Sequence, residues 1–449
     1  MTSFALALQI VAITHATVLD LETGSRAQDQ TIVIRNRRIA AVGPSASVAT
    51  PAGARTLNAS GKFVIPGLWD MHVHNDVPGG RALLPLYVAY GVTGVRDMNG
   101  ALGTLRRWQG EIAAGTLVGP RMVVSGPYVV GSAVPLPHLL VRTADEGTAA
   151  VDSLARLRVD FIKVHNALRP EAFFAVAREA RRRGLVFAGH VYPPVTPLQA
   201  SDSGQRSQEH LSGFPNECSA ADSVAFAPAL PLQRFLLGTC TPEPQGPVYS
   251  RIARNGTWVN PTLTVQVPVA TLQAAAPPGS ATAEHYTDSL LAFLRVVMRL
   301  PPNPSESARE AGRALFAKRV ATVGAMHRAG IAMLTGSDSP GAPSPPGVSL
   351  HDELELFVQA GLTPLAALRS ATVEPARYFM ATDSLGRIAA GHVADMVLLD
   401  GDPIADIRNT RRIHAVLADG RVYDASTRAA LIANVKRAAL QSRRPGSSP

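Results

Sequence analysis

Six side chains of metal-binding type stand at spacings that could build one site. His72 and His74 lie in DMHVHN (70–75). In a strand, residues i and i+2 face the same side, so the two imidazoles point together and can chelate one cation. Lys163 lies inside the apolar run DFIKVHN (160–166). A lysine buried there is costly unless it is paired or neutralised. The chain has four lysines, Lys62, Lys163, Lys318 and Lys436, among 43 basic residues, so one in an apolar strand needs a reason. One is carbamylation by CO2, which turns the amine into an anionic bidentate ligand able to bridge two metals; another is a structural ion pair with an acid. His190 in VFAGHVY and His210 in SQEHLSG each end a strand-like run, and Asp338 follows in MLTGSDS. Each alone has a plainer reading as a satisfied core residue. The six together are far more specific than any member.

Short apolar strands alternating with helix-period segments must position these residues, a pattern of βα units and a parallel sheet. Eight strands are expected, at 67–74, 91–98, 121–129, 160–166, 185–191, 207–213, 257–263 and 331–339. Helices lie between several of them, over 171–184 and 308–330 for example. The span from His72 to Asp338 is close to the size of one (β/α)8 barrel, about 250 residues, and the candidate ligands fall at strand C-termini, where such barrels carry their chemistry. Residues 5–62 and 393–424 read instead as short β-branched strands broken by Gly, Asn and Pro, forming a small β-sandwich from both chain ends. The resulting division is 1–62 with 387–430 as sandwich, 63–386 as barrel, and 431–449 as a C-terminal helix and flexible tail. The Pro-rich stretches 215–250 and 264–305 exceed ordinary βα loops and are expected to wall the pocket.

Composition narrows the function. Of 449 residues, 46% are hydrophobic and 17% charged, an ordinary globular balance. The net charge of +9 comes from scattered arginines rather than a basic arm, so neither nucleic acid nor membrane is expected as a partner. No apolar run reaches the roughly 18 residues of a membrane span. The apolar start lacks a basic n-region, which leaves a cytoplasmic chain or an exported one with a trimmed signal. Cys218 and Cys240 fit no metal-binding spacing; two unrelated thiols and a local disulfide both remain open.

The motifs VIPGLWDMHVHN (64–75), FIKVHN (161–166), AGHV (188–191), QEHLSG (208–213) and TGSDS (335–339), followed by GHVADMVLLDGDPIADI (391–407), resemble in order those of the amidohydrolase superfamily. The likeness is to its imidazolonepropionase-like and metal-dependent dipeptidase (prolidase-like) branch. It implies two divalent cations, zinc being the expected metal, with His72 and His74 on one, His190 and His210 on the other, and carbamylated Lys163 bridging. Asp338 would ligate the first and act as the catalytic proton carrier. Two cations sharing a water lower its pKa to about 7, giving hydroxide for attack on an amide. The implied substrate is a small molecule: a dipeptide, an N-acyl amino acid or a cyclic amide. The prolines of GHVYPPVTP (189–197) depart from the dipeptidase pattern. A lactone or phosphotriester hydrolase would use the same site, and a scaffold that has lost its metals is the non-catalytic alternative. His165, two residues past Lys163, Tyr192, two past His190, and His351 in SLHDELELF are candidate substrate contacts. Self-association into a homo-oligomer is allowed.

Lys163→Ala is therefore expected to empty or halve a two-metal site, with partial rescue of activity by a small added carboxylic acid. Elemental analysis checks it, and full occupancy with full activity in the variant would defeat the carbamate.

Overall fold

The computed structural model describes residues 10–274, 276–298 and 300–442; the start at 1–9 and all but the first residue of the expected tail 442–449 lie outside them. Two groups of parallel strands form the centre. Leu68–Val73, Val92–Asp97 and Arg121–Val124 make a three-stranded parallel sheet. Tyr128–Val130, Ile162–Val164, Phe187–Gly189, Ser207–Glu209 and Trp258–Asn260 belong to a second, with His138–Leu140 added at its edge. That edge strand was not expected from the sequence.

The strand expected at 331–339 is not a regular one. Bridges at Val259–Met333 and Val73–Ser339 join it to the neighbours on either side. Between them, Ser337 N donates to the Asp70 carboxylate at 3.0 Å instead of to a strand, and Asp338 takes a left-handed φ of 54°. A side chain thus takes over a ladder bond and the backbone turns out of the β region. The bridges nonetheless make this segment a link between the two parallel sheets. A further link is the bond from Asp160 N to Val124 O, 3.1 Å.

The helices behind the strands follow from their sequences. Pro170–Arg183 starts with proline at its first turn, ends at Gly184 in the left-handed region, and buries Ala172, Phe173, Val176 and Ala180. Ala144–Arg156 is closed by a capping box, Thr143 accepting from Glu146 N while the Glu146 side chain returns to the Thr143 backbone. Glu306–Arg328 is the long helix beyond the second Pro-rich stretch.

Both chain ends contribute to one eight-stranded sheet. Strands from Val11–Leu19 to Phe63–Pro66 join Met396–Leu399, Ile413–Ala418 and Arg421–Tyr423, and Phe63–Pro66 runs antiparallel to Met396–Leu399. Its buried face holds Ile13, Ile32, Ile34, Val64, Met396, Leu398 and Leu417. A C-terminal helix, Ala425–Ser442, begins earlier than the 431 expected and packs on the helix Gly80–Ala89.

The segment after 213 is structured rather than a loose loop. Cys218 and Cys240 form a disulfide, with Cα atoms 5.3 Å apart, beside a two-stranded ladder pairing Asn216 with Cys240. In the chain-entropy account, closing a loop of this length contributes about 3 kcal/mol. Phe226, Ala229 and Leu237 pack on Val269, Ala270, Ala311 and Leu315. Among the described residues no helix is long and apolar enough to cross a membrane.

One buried ion pair joins the two parallel sheets. Arg96, from Val92–Asp97, donates through Nη2 to Glu209 at 2.9 and 3.0 Å, through Nη1 to Ser207 Oγ at 2.8 Å and through Nε to Met71 O at 2.7 Å. Both side chains are fully buried. Removing one partner of such a pair strands the other charge, which costs about 3–5 kcal/mol. Arg96→Met should therefore lower unfolding stability by about that much in a urea titration. A loss below about 1 kcal/mol would show that Glu209 is neutralised some other way.

Candidate metal centre

The strand Leu68–Val73 delivers His72, and His74 follows one residue beyond its end. The two rings lie 5.3 Å apart. Gly94, paired with Trp69 across the neighbouring strand, keeps this strand close, since a Cβ there would sit 2.3 Å from the Trp69 ring. His72, His210 and Asp338 each offer a ligand atom within 4.8 Å of the others. Asp338 Oδ1 lies 3.0 Å from His74 Nε2 and 3.6 Å from His72 Nε2, and Oδ2 lies 3.9 Å from His210 Nδ1. His190 joins through rings 4.6 Å from His210. Lys163 Nζ, 6.0 Å from the centre of the Tyr128 ring, is near enough to act electrostatically on His72, His190, His210 and Asp338. The six residues singled out by type and spacing thus meet in one cluster.

The hydrogen bonds prepare these side chains as ligands. His72 Nδ1 donates to Glu209 Oε2 at 2.8 Å. Its Nε2, fully buried, has no hydrogen-bond partner among the described residues, and neither does Lys163 Nζ. The Thr262 hydroxyl donates to Pro261 O and so accepts from His210 Nδ1, at 2.5 Å. In both rings the proton is held on Nδ1, leaving the Nε2 lone pair for a cation. An orphaned buried lone pair facing a carboxylate and further imidazoles fits a metal ion.

Protonation states agree. Burial lowers His72 and His190 well below the usual imidazole range, with neighbouring cations adding to the effect. Burial likewise brings His210 to about 3 and Lys163 to about 7. For Asp338, burial pushes upward, but His210, His74 and Lys163 outweigh it and hold the carboxyl well below its ordinary value. Neutral imidazoles, a readily neutralised amine and an ionised carboxylate are the forms that metal coordination requires.

Backbone strain gathers here too. His210, Leu211, Thr262 and Asp338 have φ of 60°, 57°, 47° and 54°, a region non-glycine residues occupy at a cost and often at functional sites. Glu353 secures one of these turns. Its carboxylate, raised by burial to about 8, accepts from Leu263 N, Thr264 N and Thr264 Oγ1 at 2.7 to 3.0 Å, next to Thr262.

His165 and Tyr192 reach the cluster. The His165 ring lies 4.1 Å from His190 and stacks on Tyr128 at 4.4 Å. Tyr192 OH is 3.1 Å from His190 Nδ1. His351 does not. Its Nε2 donates to Tyr90 O at 2.9 Å and its Nδ1 lies 2.9 Å from Thr410 Oγ1, with the ring buried. The expectation of a substrate contact there is corrected: both ring nitrogens are engaged in joining elements of the scaffold.

Sequence reasoning missed Asp70, Arg96, Tyr128, Glu209 and Thr262. Asp70 lies two residues before His72, and burial lifts it to about 7 despite its bonds to Ser337. The signal for Arg96 and Glu209 was present: each is a full charge inside a run predicted as a strand.

Known proteins resemble the chain in sequence and in fold. The sequence pattern of the amidohydrolase family matches residues 63–423. An adenine deaminase of Rubrobacter xylanophilus is 21% identical over 425 residues, which cover 91% of this chain. The chain spans 57% of that relative's length. A bottromycin amidohydrolase superposes with a TM-score of 0.73 at 25% identity, over 96% of this chain and 90% of its own. An Xaa-Pro dipeptidase with methionine in its active site superposes with a TM-score of 0.67 at 19% identity, over 93% and 100%. With the family pattern spanning the strands from His72 to Asp338 and beyond, this chain belongs to the amidohydrolase family.

Proposed function

We propose that the chain is a metal-dependent hydrolase that cleaves the amide C–N bond of a small substrate, such as an N-acyl amino acid, a dipeptide or a cyclic amide. In this reading the parallel strands close into a (β/α)8 barrel within 63–386, and the end sheet forms a separate unit that takes Phe63–Pro66 in addition to strands from the expected 1–62 and 387–430. The observation that carries it is the orphaned His72 Nε2 beside Asp338 and His210, with an unpartnered Lys163 amine buried in the same cluster. Two solved relatives named for amide chemistry, the bottromycin amidohydrolase and the Xaa-Pro dipeptidase, support the choice of bond.

His72, His74, His190, His210 and Asp338 would hold two divalent cations, zinc being the expected metal, and Lys163 would bridge them as its carbamate. A neutral amine is the form that adds to CO2, and burial brings Lys163 to about 7, so this form is accessible at neutral pH. When bound, such cations supply Lewis acidity toward the scissile carbonyl and lower the pKa of water.

The protein's own groups do the rest. Asp338 is ionised, so an oxygen is free to take the proton of the attacking water and return it to the departing nitrogen. His74 Nε2, 3.0 Å from Oδ1, stands beside that carboxylate, so the two would serve as neighbouring ligands. Glu209, held by Arg96, keeps His72 on its Nδ1 proton. Tyr128, His165 and Tyr192 pack their rings against His74 and His190 and would exclude water there.

Asp338→Asn keeps the shape and one metal-binding oxygen but removes the base. It is expected to lower kcat on an unactivated amide by about 100-fold or more, while metal content and KM change little. A substrate with a good leaving group should suffer less. Wild-type kcat in the Asn variant would reduce Asp338 to a ligand alone. Loss of all amide turnover on chelation, with recovery on adding zinc, checks the metal requirement.

A further inference from the structure

A line of rings runs from the protein surface to the metal-type cluster. Phe235 stacks on Tyr192 with centroids 5.4 Å apart and planes at 14°. Tyr192 meets His190 at 5.5 Å, His190 meets His165 at 4.1 Å, and His165 stacks on Tyr128 at 4.4 Å. Tyr128 lies 6.1 Å from His74. The outermost member, Phe235, is 60% exposed.

A single exposed phenylalanine is ordinary on a protein surface. This one is held in place by a well-packed support. It sits on the short helix Pro231–Leu236 inside the segment closed by Cys218–Cys240. Gln233, two residues earlier, is fully buried and donates Nε2 to Ala308 O at 3.0 Å and to Val269 O and Ala270 O at 3.3 Å. Two residues on a helix differ by about 200°, so pinning Gln233 inward turns Phe235 outward. Leu237 and Phe226 fill the segment's core, and Lys318 bonds Asp222 at 2.9 Å. The adjacent charge is also withdrawn: Arg234 donates to Ala229 O at 3.1 Å and Ala227 O at 2.6 Å, within its own segment. Beneath the ring, Tyr192 is followed by Pro193 and Pro194, which restrict the backbone. The outcome is a fixed, uncharged aromatic surface: Phe235 and Tyr192 lie nearly parallel, and Tyr192 meets His190 edge-on at 79°.

We infer that this surface is a substrate wall, with Phe235 as its outer specificity-determining residue, and that the substrate carries an aromatic or bulky apolar acyl group that lies against it. The inference rests on the hydrolytic reading above and adds the class of substrate. Offset stacking of rings at 4.5–7 Å and burial of an apolar group would supply the preference, and Tyr192, bonded to His190, would couple the wall to the reacting end.

The test uses the full-length chain loaded with zinc and two amides, N-phenylacetyl-L-alanine and N-acetyl-L-alanine. In parallel, calorimetry measures binding of phenylacetate and acetate. The wild-type enzyme is expected to favour the phenylacetyl amide at least tenfold in kcat/KM. Phe235→Ala should shrink that ratio about tenfold, mostly through KM, and weaken phenylacetate binding by a similar factor. Phe235→Tyr should retain the preference. If neither amide is turned over but phenylacetate still binds in a Phe235-dependent way, the wall stands and the choice of reaction falls. A ratio and a phenylacetate affinity both untouched by Phe235→Ala overturn the wall. So does equal loss on both amides with a lowered melting temperature, the mark of a merely structural residue.

Discussion

The arrangement around the cluster depends on a full positive and a full negative charge buried together in the interior. Burying either alone would cost several kcal/mol. Arg96 and Glu209 tolerate it because their polar atoms are taken up: the guanidinium by Glu209, Ser207 and Met71 O, and the carboxylate by Arg96, Ser207 and His72. The pair ties the strand Val92–Asp97 to Ser207–Glu209 and so holds the two parallel sheets at a set distance. It also fixes the proton of His72, because Glu209 accepts it on Nδ1. One interaction thereby sets a fold dimension and the coordination-ready face of a ligand. Asp97 does a smaller task of the same kind, accepting from Asn75 N and Nδ2 and from Asn99 N to shape the turn after His74.

Around that pair the cluster is electrostatically unfinished. Several imidazoles and an amine are buried beside the carboxylate of Asp338, while the charge of Glu209 is already matched by Arg96. Desolvation and mutual repulsion favour the neutral form of His72, His190 and His210. Against desolvation, the partial positive charge gathered around Asp338 together with a hydrogen bond from His74 favours its ionised form. The left-handed residues His210, Thr262 and Asp338 are held in place by bonds from outside the cluster, such as those of Glu353 to the turn after Thr262 and of Asp70 to Ser337. Strain and unpaired polar atoms that would be liabilities in an ordinary core are concentrated where a cation would relieve them.

The ends of the chain help to place the site although they carry none of its candidate ligands. Gly67 N donates to Asp395 O and Trp69 N to Ala371 O, each at about 2.9 Å or less, so the His72 strand is entered from the end sheet and braced by segments over 300 residues away. The disulfide-closed segment acts similarly from the other side, with Gln233 and Arg319 anchoring it. Arg319, almost fully buried, donates to Phe214 O at 2.8 Å, and Gly238 leaves room for its guanidinium, where a Cβ would sit 2.1 Å from Nη2.

Strand periodicity placed His72 with His74 and Lys163 with His165, because alternation of faces is a property of the local backbone. It also marked the runs that hold most of the parallel strands, although the run 121–129 is split into Arg121–Val124 and Tyr128–Val130 in different sheets. The helices Pro170–Arg183 and Glu306–Arg328 were marked as well, as was the lysine whose burial demanded an explanation. It failed where a partner from far along the chain decides the outcome. The eighth strand breaks at Asp338 because Asp70, 267 residues earlier, takes Ser337 N. His351 looked like a site residue from its place at a helix start, but Tyr90 and Thr410 engage it. Cys218 and Cys240 could not be told from unrelated thiols until the ladder between Asn216 and Cys240 brought them together. Phe235 carried no signal, since its direction follows from where Gln233 is buried. Sequence alone thus determined which residue types share a face and in what order the strands come. Tertiary structure decided which of those faces meet, because burial, charge compensation and hydrogen-bond partners are settled by packing between segments, not within them.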